Sequence, residues 1–118
     1  MGLLTKTLSL KAIDGKAPEC RMLSVEGLSS TYVFLRIVDE LKNEFHAVAT
    51  KEAGSAMYDE WLVELTIGNQ TVAVMWAWHG ITVSVYDKAA HELLGKISDH
   101  LSRLKLNKLR LMFEEKMG

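Results

Sequence analysis

One cysteine, Cys20, is all that the 118 residues contain, so no intramolecular disulfide can form and the stapled framework of a small secreted domain is excluded. A reducing cytoplasm is the expected compartment. The single proline, Pro18, lacks an amide donor and marks a loop or sheet edge, while no apolar run approaches the roughly 20 residues that cross a bilayer. No membrane is expected as a partner. The opening stretch has one lysine, and Thr5, Thr7 and Ser9 interrupt its apolar residues, so it reads as a strand rather than a secretory signal. Lys6 stands where the myristoylation pattern wants Ser or Thr. The glycines are solitary, so no G-x-G-x-x-G or G-x-x-x-x-G-K loop is present to cradle a phosphate. Charge of one sign is missing too: 14 basic and 15 acidic residues leave a net charge of -1 and no global attraction to a polyanion.

What remains is the composition of one ordinary globular domain, 48% apolar and 25% charged. Leu4, Leu8, Leu10 and Ala12 share one parity and alternate with polar residues, which predicts a half-buried strand ending at Asp14-Gly15. Leu23 and Val25 predict a second strand over 20–25, paired with the first as a hairpin with a long turn. Ser29, Ser30 and Thr31 offer N-cap oxygens, and Phe34, Ile37, Val38, Leu41 and Phe45 then fall on one face of a helix over about 31–45. Residues 46–50 read as a short strand and 51–55 as a loop.

Residues 61–86 carry the clearest pattern. Trp61, Val63, Leu65 and Ile67 alternate with polar or mixed residues, and Gly68-Asn69 supplies a two-residue turn. That turn sets Leu65 opposite Val72, Val63 opposite Val74 and Trp61 opposite Trp76. A second turn at His79-Gly80 would place Trp78 opposite Ile81 and Trp76 opposite Val83. The other face mixes Glu64, Thr66, Thr71, Thr82 and Ser84 with Leu62, Ala73, Met75, Ala77 and Tyr86, a composition suited to solvent or to a partner. From Lys88 onward Leu94, Ile97, Leu101 and Leu104 form the stripe of a second helix. Beyond Leu104 the apolar residues move to Leu106, Leu109 and Phe113, and Arg103, Lys105, Lys108 and Arg110 bring four positive charges with no acid among them.

The chemical constellations fail on geometry. His91-Glu92-Leu93-Leu94-Gly95 begins like a zinc-protease helix but has Gly95 where the second imidazole belongs. Ser98-Asp99-His100 holds the three residue types of a hydrolase triad, yet adjacent helical residues point about 100° apart. Cys20 beside Arg21 has no base nearby and reads as packing. Trp61, Trp76 and Trp78 lie on the predicted core face, where aromatic bulk is what a two-layer domain needs. No catalytic residue, cofactor or metal is therefore expected.

The central order of helix, three antiparallel strands and helix resembles the double-stranded RNA-binding domain in order only. In that family the second helix opens on a Gly-rich, lysine-dense motif, whereas residues 86–92 here contain one Lys and two acids, Asp87 and Glu92. The remaining nucleic-acid route is the basic tail, through Lys105, Lys108 and Arg110.

The expected architecture is a two-layer α+β sandwich with a largely antiparallel sheet in the order ββαβ(β)ββα and two amphipathic helices on one face. Residues 1–104 form the domain, and 105–118 a basic, amphipathic, short helical extension. The expected role is that of a non-enzymatic interaction or regulatory module binding a protein partner or a second copy, with Leu106, Leu109, Phe113, Met75 and Tyr86 as candidate contacts. The alternative is a small-molecule binder or enzyme with a site at the sheet end near Trp78 and His79. Net neutrality is itself a cancellation: residues 1–87 carry a balance of -4 and residues 88–118 of +3.

Overall fold

A computed structural model of the chain describes residues 5–28, 30–55, 57, 59–77, 80–107 and 111. The elements in chain order are β1 (Thr5–Thr7), β2 (Leu10–Asp14), β3 (Arg21–Val25), α1 (Thr31–Glu44), β4 (Val48–Ser55), β5 (Glu60–Ile67), β6 (Gln70–Ala77), β7 (Gly80–Val85), α2 (His91–Ser102) and β8 (Lys105–Asn107). A 3-10 turn over Lys88–Ala90 leads into α2. β2 to β7 form one antiparallel six-stranded sheet in the order β2-β3-β7-β6-β5-β4, while β1 and β8 pair as a separate two-stranded ribbon. The fold is thus α+β with an antiparallel sheet.

α1 starts where its cap demands. Ser30 Oγ accepts from the backbone N–H groups of Tyr32, at 3.0 Å, and Val33, at 3.4 Å, which satisfies two of the donors a helix start leaves free. Val33, Phe34, Ile37, Val38 and Leu41 are buried at helical spacing, and the stripe Leu94, Ile97 and Leu101 of α2 is buried likewise. Both stripes belong to one core with the inward strand residues Leu23, Val25, Val63, Leu65, Val72, Val74, Trp76, Ile81, Val83 and Val85. The helices are joined laterally where His100 Nε2 of α2 lies 2.6 Å from Glu40 Oε1 of α1, whose other oxygen, Oε2, lies 3.6 Å from Arg36 Nη1 one turn earlier on the same helix.

The hairpin β5–β6 turns at Gly68-Asn69 with Leu65 opposite Val72, Val63 opposite Val74 and Trp61 opposite Trp76. Gly68 takes φ +60, the positive angle such a turn requires. The next hairpin departs from the expected register. Ala77 pairs with Gly80, Trp76 with Ile81 and Val74 with Val83, so the connection is residues 78 and 79 rather than 79 and 80. The slip is two residues, and an even slip leaves every side chain on its own face, so Ile81, Val83 and Val85 are buried as the pattern requires.

Three other expectations change. The first strand is broken at Leu8-Ser9: β1 leaves for the ribbon with β8, and β2 becomes a sheet edge on which Ala12 is exposed. Residues 51–55, read as a loop, are the second half of β4, whose eight residues pair with β5 through a bulge between Ala49 and Lys51. The segment after Leu104, read as helical, opens with β8.

Gly95 sits in the middle of α2, where an added Cβ meets nothing within 4 Å. No steric demand keeps glycine there. Gly95→Ala is therefore expected to stabilise the fold by about 0.5–1 kcal/mol, measured as a raised urea midpoint at unchanged slope.

Candidate interaction surface

The sheet has two unlike faces because successive side chains alternate across it. One face carries the core under α1 and α2. On the other, the strand registers align a row of Ile13, Met22, Ser84, Ala73, Glu64 and Lys51 across all six strands. A second row, two residues away, runs Lys11, Ser24, Thr82, Met75, Leu62 and Ala53. No described element covers this face. Met75 at its centre is 43% exposed and Ile13 at its edge 38%, while Leu62 and Met22 are half-buried. The small residues Ala73, Ala77 and Ser84 share the outward parity and are buried, so the centre is a shallow floor of short side chains. Lys11, Lys51, Glu60 and Glu64 supply charges of both signs toward the two edge strands and β5.

The candidates read from the sequence fall apart in space. Met75 lies at the middle of the open face, and Tyr86, 58% exposed, follows directly on the last residue of β7. Leu106 is instead buried within the chain at 0% exposure, on β8, opposite Lys6 of β1. Leu109, Phe113, Trp78 and His79 lie outside the described residues. Lys51–Ser55, the supposed loop beside Trp78 and His79, is strand, and Lys105 is exposed on β8.

His91, His100, Trp61, Trp76 and Cys20 have structural surroundings that account for them. His100 bonds Glu40 on α1 and stands nearly perpendicular to the Phe45 ring with centroids 5.6 Å apart, which ties α2 to α1 and its C-cap. His91 Nε2 lies 2.7 Å from the Glu19 carbonyl oxygen. Trp61 donates its indole N–H to Glu52 Oε1 at 2.8 Å and packs on Phe34, while Trp76 is buried. Cys20 is free, half-buried, and seated where a side chain on Gly15 would otherwise lie. Among the described residues no three His, Cys, Asp or Glu side chains gather closely enough to hold a metal, and no helix is long and apolar enough to cross a membrane.

Sequence reasoning found Leu62, Met75 and Tyr86 but missed Ile13 and Met22. Both lie on the outward parity of their strands, but only the strand order that sets β2 and β3 beside β7 carries them onto this face. The assembled features define an α+β domain with a six-stranded antiparallel sheet, packed on one side and, among the described residues, open on the other. No protein-family model, curated protein or solved structure matches the chain.

Proposed function

We propose that the protein is a non-enzymatic interaction module that self-associates through the open face of its sheet, in a reducing compartment such as the cytoplasm. One observation carries this reading: a sheet face spanning six strands, apolar at the centre and charged toward the margins, with none of the described elements packed on it. Six strands about 4.8 Å apart and roughly 20 Å long offer a flat area of about 550 Å² per copy, before side-chain relief is counted. Two copies would then bury about 1,100 Å², above the roughly 800 Å² of incidental contacts and near the lower bound of specific interfaces. Stacking of two sheets about 10 Å apart is an established way to complete such a core, and a two-fold arrangement closes without leaving a further face.

The face is favoured over the edge. Antiparallel self-pairing along β4 keeps like faces together, so the two registers centred on the strand set Lys51 against Lys51 or Glu52 against Glu52. The bulge after Ala49 distorts the same edge further.

Met75→Arg places a charge at the centre of the face without touching the core beneath. Sedimentation and light scattering on the native chain should show a dimer, and on the variant a monomer with unchanged circular dichroism. A native chain that stays monomeric at high micromolar concentration sinks the reading.

A further inference from the structure

On the helix side of the molecule a groove of about 250 Å³ runs between α2 and the β2–β3 hairpin. α2 sits over β3 and β7, so the inward face of edge strand β2 projects beyond it and leaves Ala12 exposed. Leu23 and Leu94, both buried, make the apolar floor with Ala12, and Gly95 forms the wall where any side chain would intrude. The volume falls below the roughly 300–1,000 Å³ of sites for drug-sized ligands, which points to a small occupant.

Charge is distributed along this groove with a direction. Arg21 lies at one end, because the carbonyl of Glu19, two residues before it, bonds His91 at the first position of α2. A carbonyl only accepts, so His91 donates through Nε2 and the loop is pinned to the helix start. Asp99 lies eight residues further along α2, about 12 Å at 1.5 Å per residue, with Ser98 beside it. The helix dipole has the same sense, partially positive at the Arg21 end and partially negative toward Asp99. Among the described residues Arg21 forms one ion pair, an exposed 3.5 Å contact with Asp14, and Asp99 forms none. Both charges are available to a ligand. Gly95 halfway between them is a helix-weakening residue that no neighbour requires, and its bare backbone permits close approach of another chain.

We infer that the groove binds a short zwitterionic peptide of about three residues, whose extended length of roughly 10 Å is comparable with the about 12 Å of helix from His91, next to the Arg21 end, to Asp99. Its carboxylate meets Arg21, its ammonium meets Asp99, its backbone crosses Gly95 and its central apolar side chain rests on Leu23 and Leu94. This site is separate from the open sheet face, so its occupancy and self-association stand or fall independently.

The test is titration of the native protein with the peptide Ala-Leu-Ala, followed by amide chemical shifts and calorimetry. Saturable shifts are expected at Leu23, Leu94 and Gly95, and acetylating the amine or amidating the carboxylate should each weaken binding about tenfold, as loss of a charge-assisted hydrogen bond does. Gly95→Leu should abolish binding at unchanged circular dichroism. Arg21→Gln should weaken the free peptide about tenfold yet leave its amidated form unaffected, and Asp99→Asn should do the same with the acetylated form, outcomes that a folding defect cannot mimic. Absence of saturable shifts at millimolar peptide, or equal binding of free and blocked forms, overturns the inference.

Discussion

Phe34→Ala is expected to remove about 3–5 kcal/mol of stability, a large share of the roughly 5–15 kcal/mol that holds a domain of this kind folded. Phe34 is fully buried on α1, and its ring centroid lies 5.1 Å from that of Trp61 on β5, tilted by 38°. Truncation therefore opens a cavity between helix and sheet and also removes an aromatic contact worth about 0.5–1.5 kcal/mol beyond the area it buries. The loss propagates outward. Trp61 holds Glu52 of β4 through its indole N–H, so an indole no longer braced by Phe34 loosens the sheet's outermost strand as well. Urea unfolding gives the figure directly, and hydrogen exchange should show β4 and β5 opening before β3 and β7. Phe34→Leu keeps most of the volume and should cost clearly less. A Phe34→Ala loss below about 1 kcal/mol would show that α1 is not seated on β5 as described.

The parts of this fold that were legible in the sequence are those where burial and local chemistry coincide. α1 could be read because Ser30 caps a run with apolar residues at strict helical spacing. The β5–β6 hairpin could be read to the residue, because Gly68-Asn69 permits a single tight register and the apolar residues of both strands agree with it. At the β6–β7 turn His79-Gly80 has the composition of a turn, yet Gly80 opens the next strand, and the parity of the core is kept only because the slip is even. β4 was half lost for the opposite reason. Seven of its eight residues are exposed, Val48 at 64%, so it has no buried face to impose alternation, and its pairing with β5 rests on the backbone ladder and on two side-chain bonds, Trp61 to Glu52 and Thr50 to the Glu64 carbonyl. The open face was partly visible through Met75 and Leu62. Its extent was not, because Ile13 and Met22 join it through strand order, which no local pattern encodes.

Strand order also decides the fate of the C-terminal segment, and Leu106→Ala tests it with an expected loss of about 2–5 kcal/mol. The shift of the apolar stripe at Leu104 suggested a change of partner, and the new partner among the described residues is the chain's own amino-terminal strand. β8 pairs antiparallel with β1, setting Leu106 opposite Lys6, and burial alternates along its three residues so that only Leu106 points inward. Leu106 is 0% exposed and lies in the core with Leu8, Leu104 and Leu111. The backbone N–H of Asn107 donates to the Tyr32 hydroxyl at 3.1 Å, which fastens the ribbon to the start of α1. An isolated two-stranded ribbon is marginal in water, so this one persists through what Leu106 buries beneath it. Lys105→Ala, on the exposed side of the same strand, should change stability by no more than about 0.5 kcal/mol. The pair of variants separates two roles for one segment: a surface reserved for a partner would tolerate both changes until that partner bound, whereas a strand that closes the core fails at Leu106 alone. Urea unfolding of the two variants beside the native chain measures the difference. A Leu106→Ala loss as small as that of Lys105→Ala would return the segment to the role of a free extension.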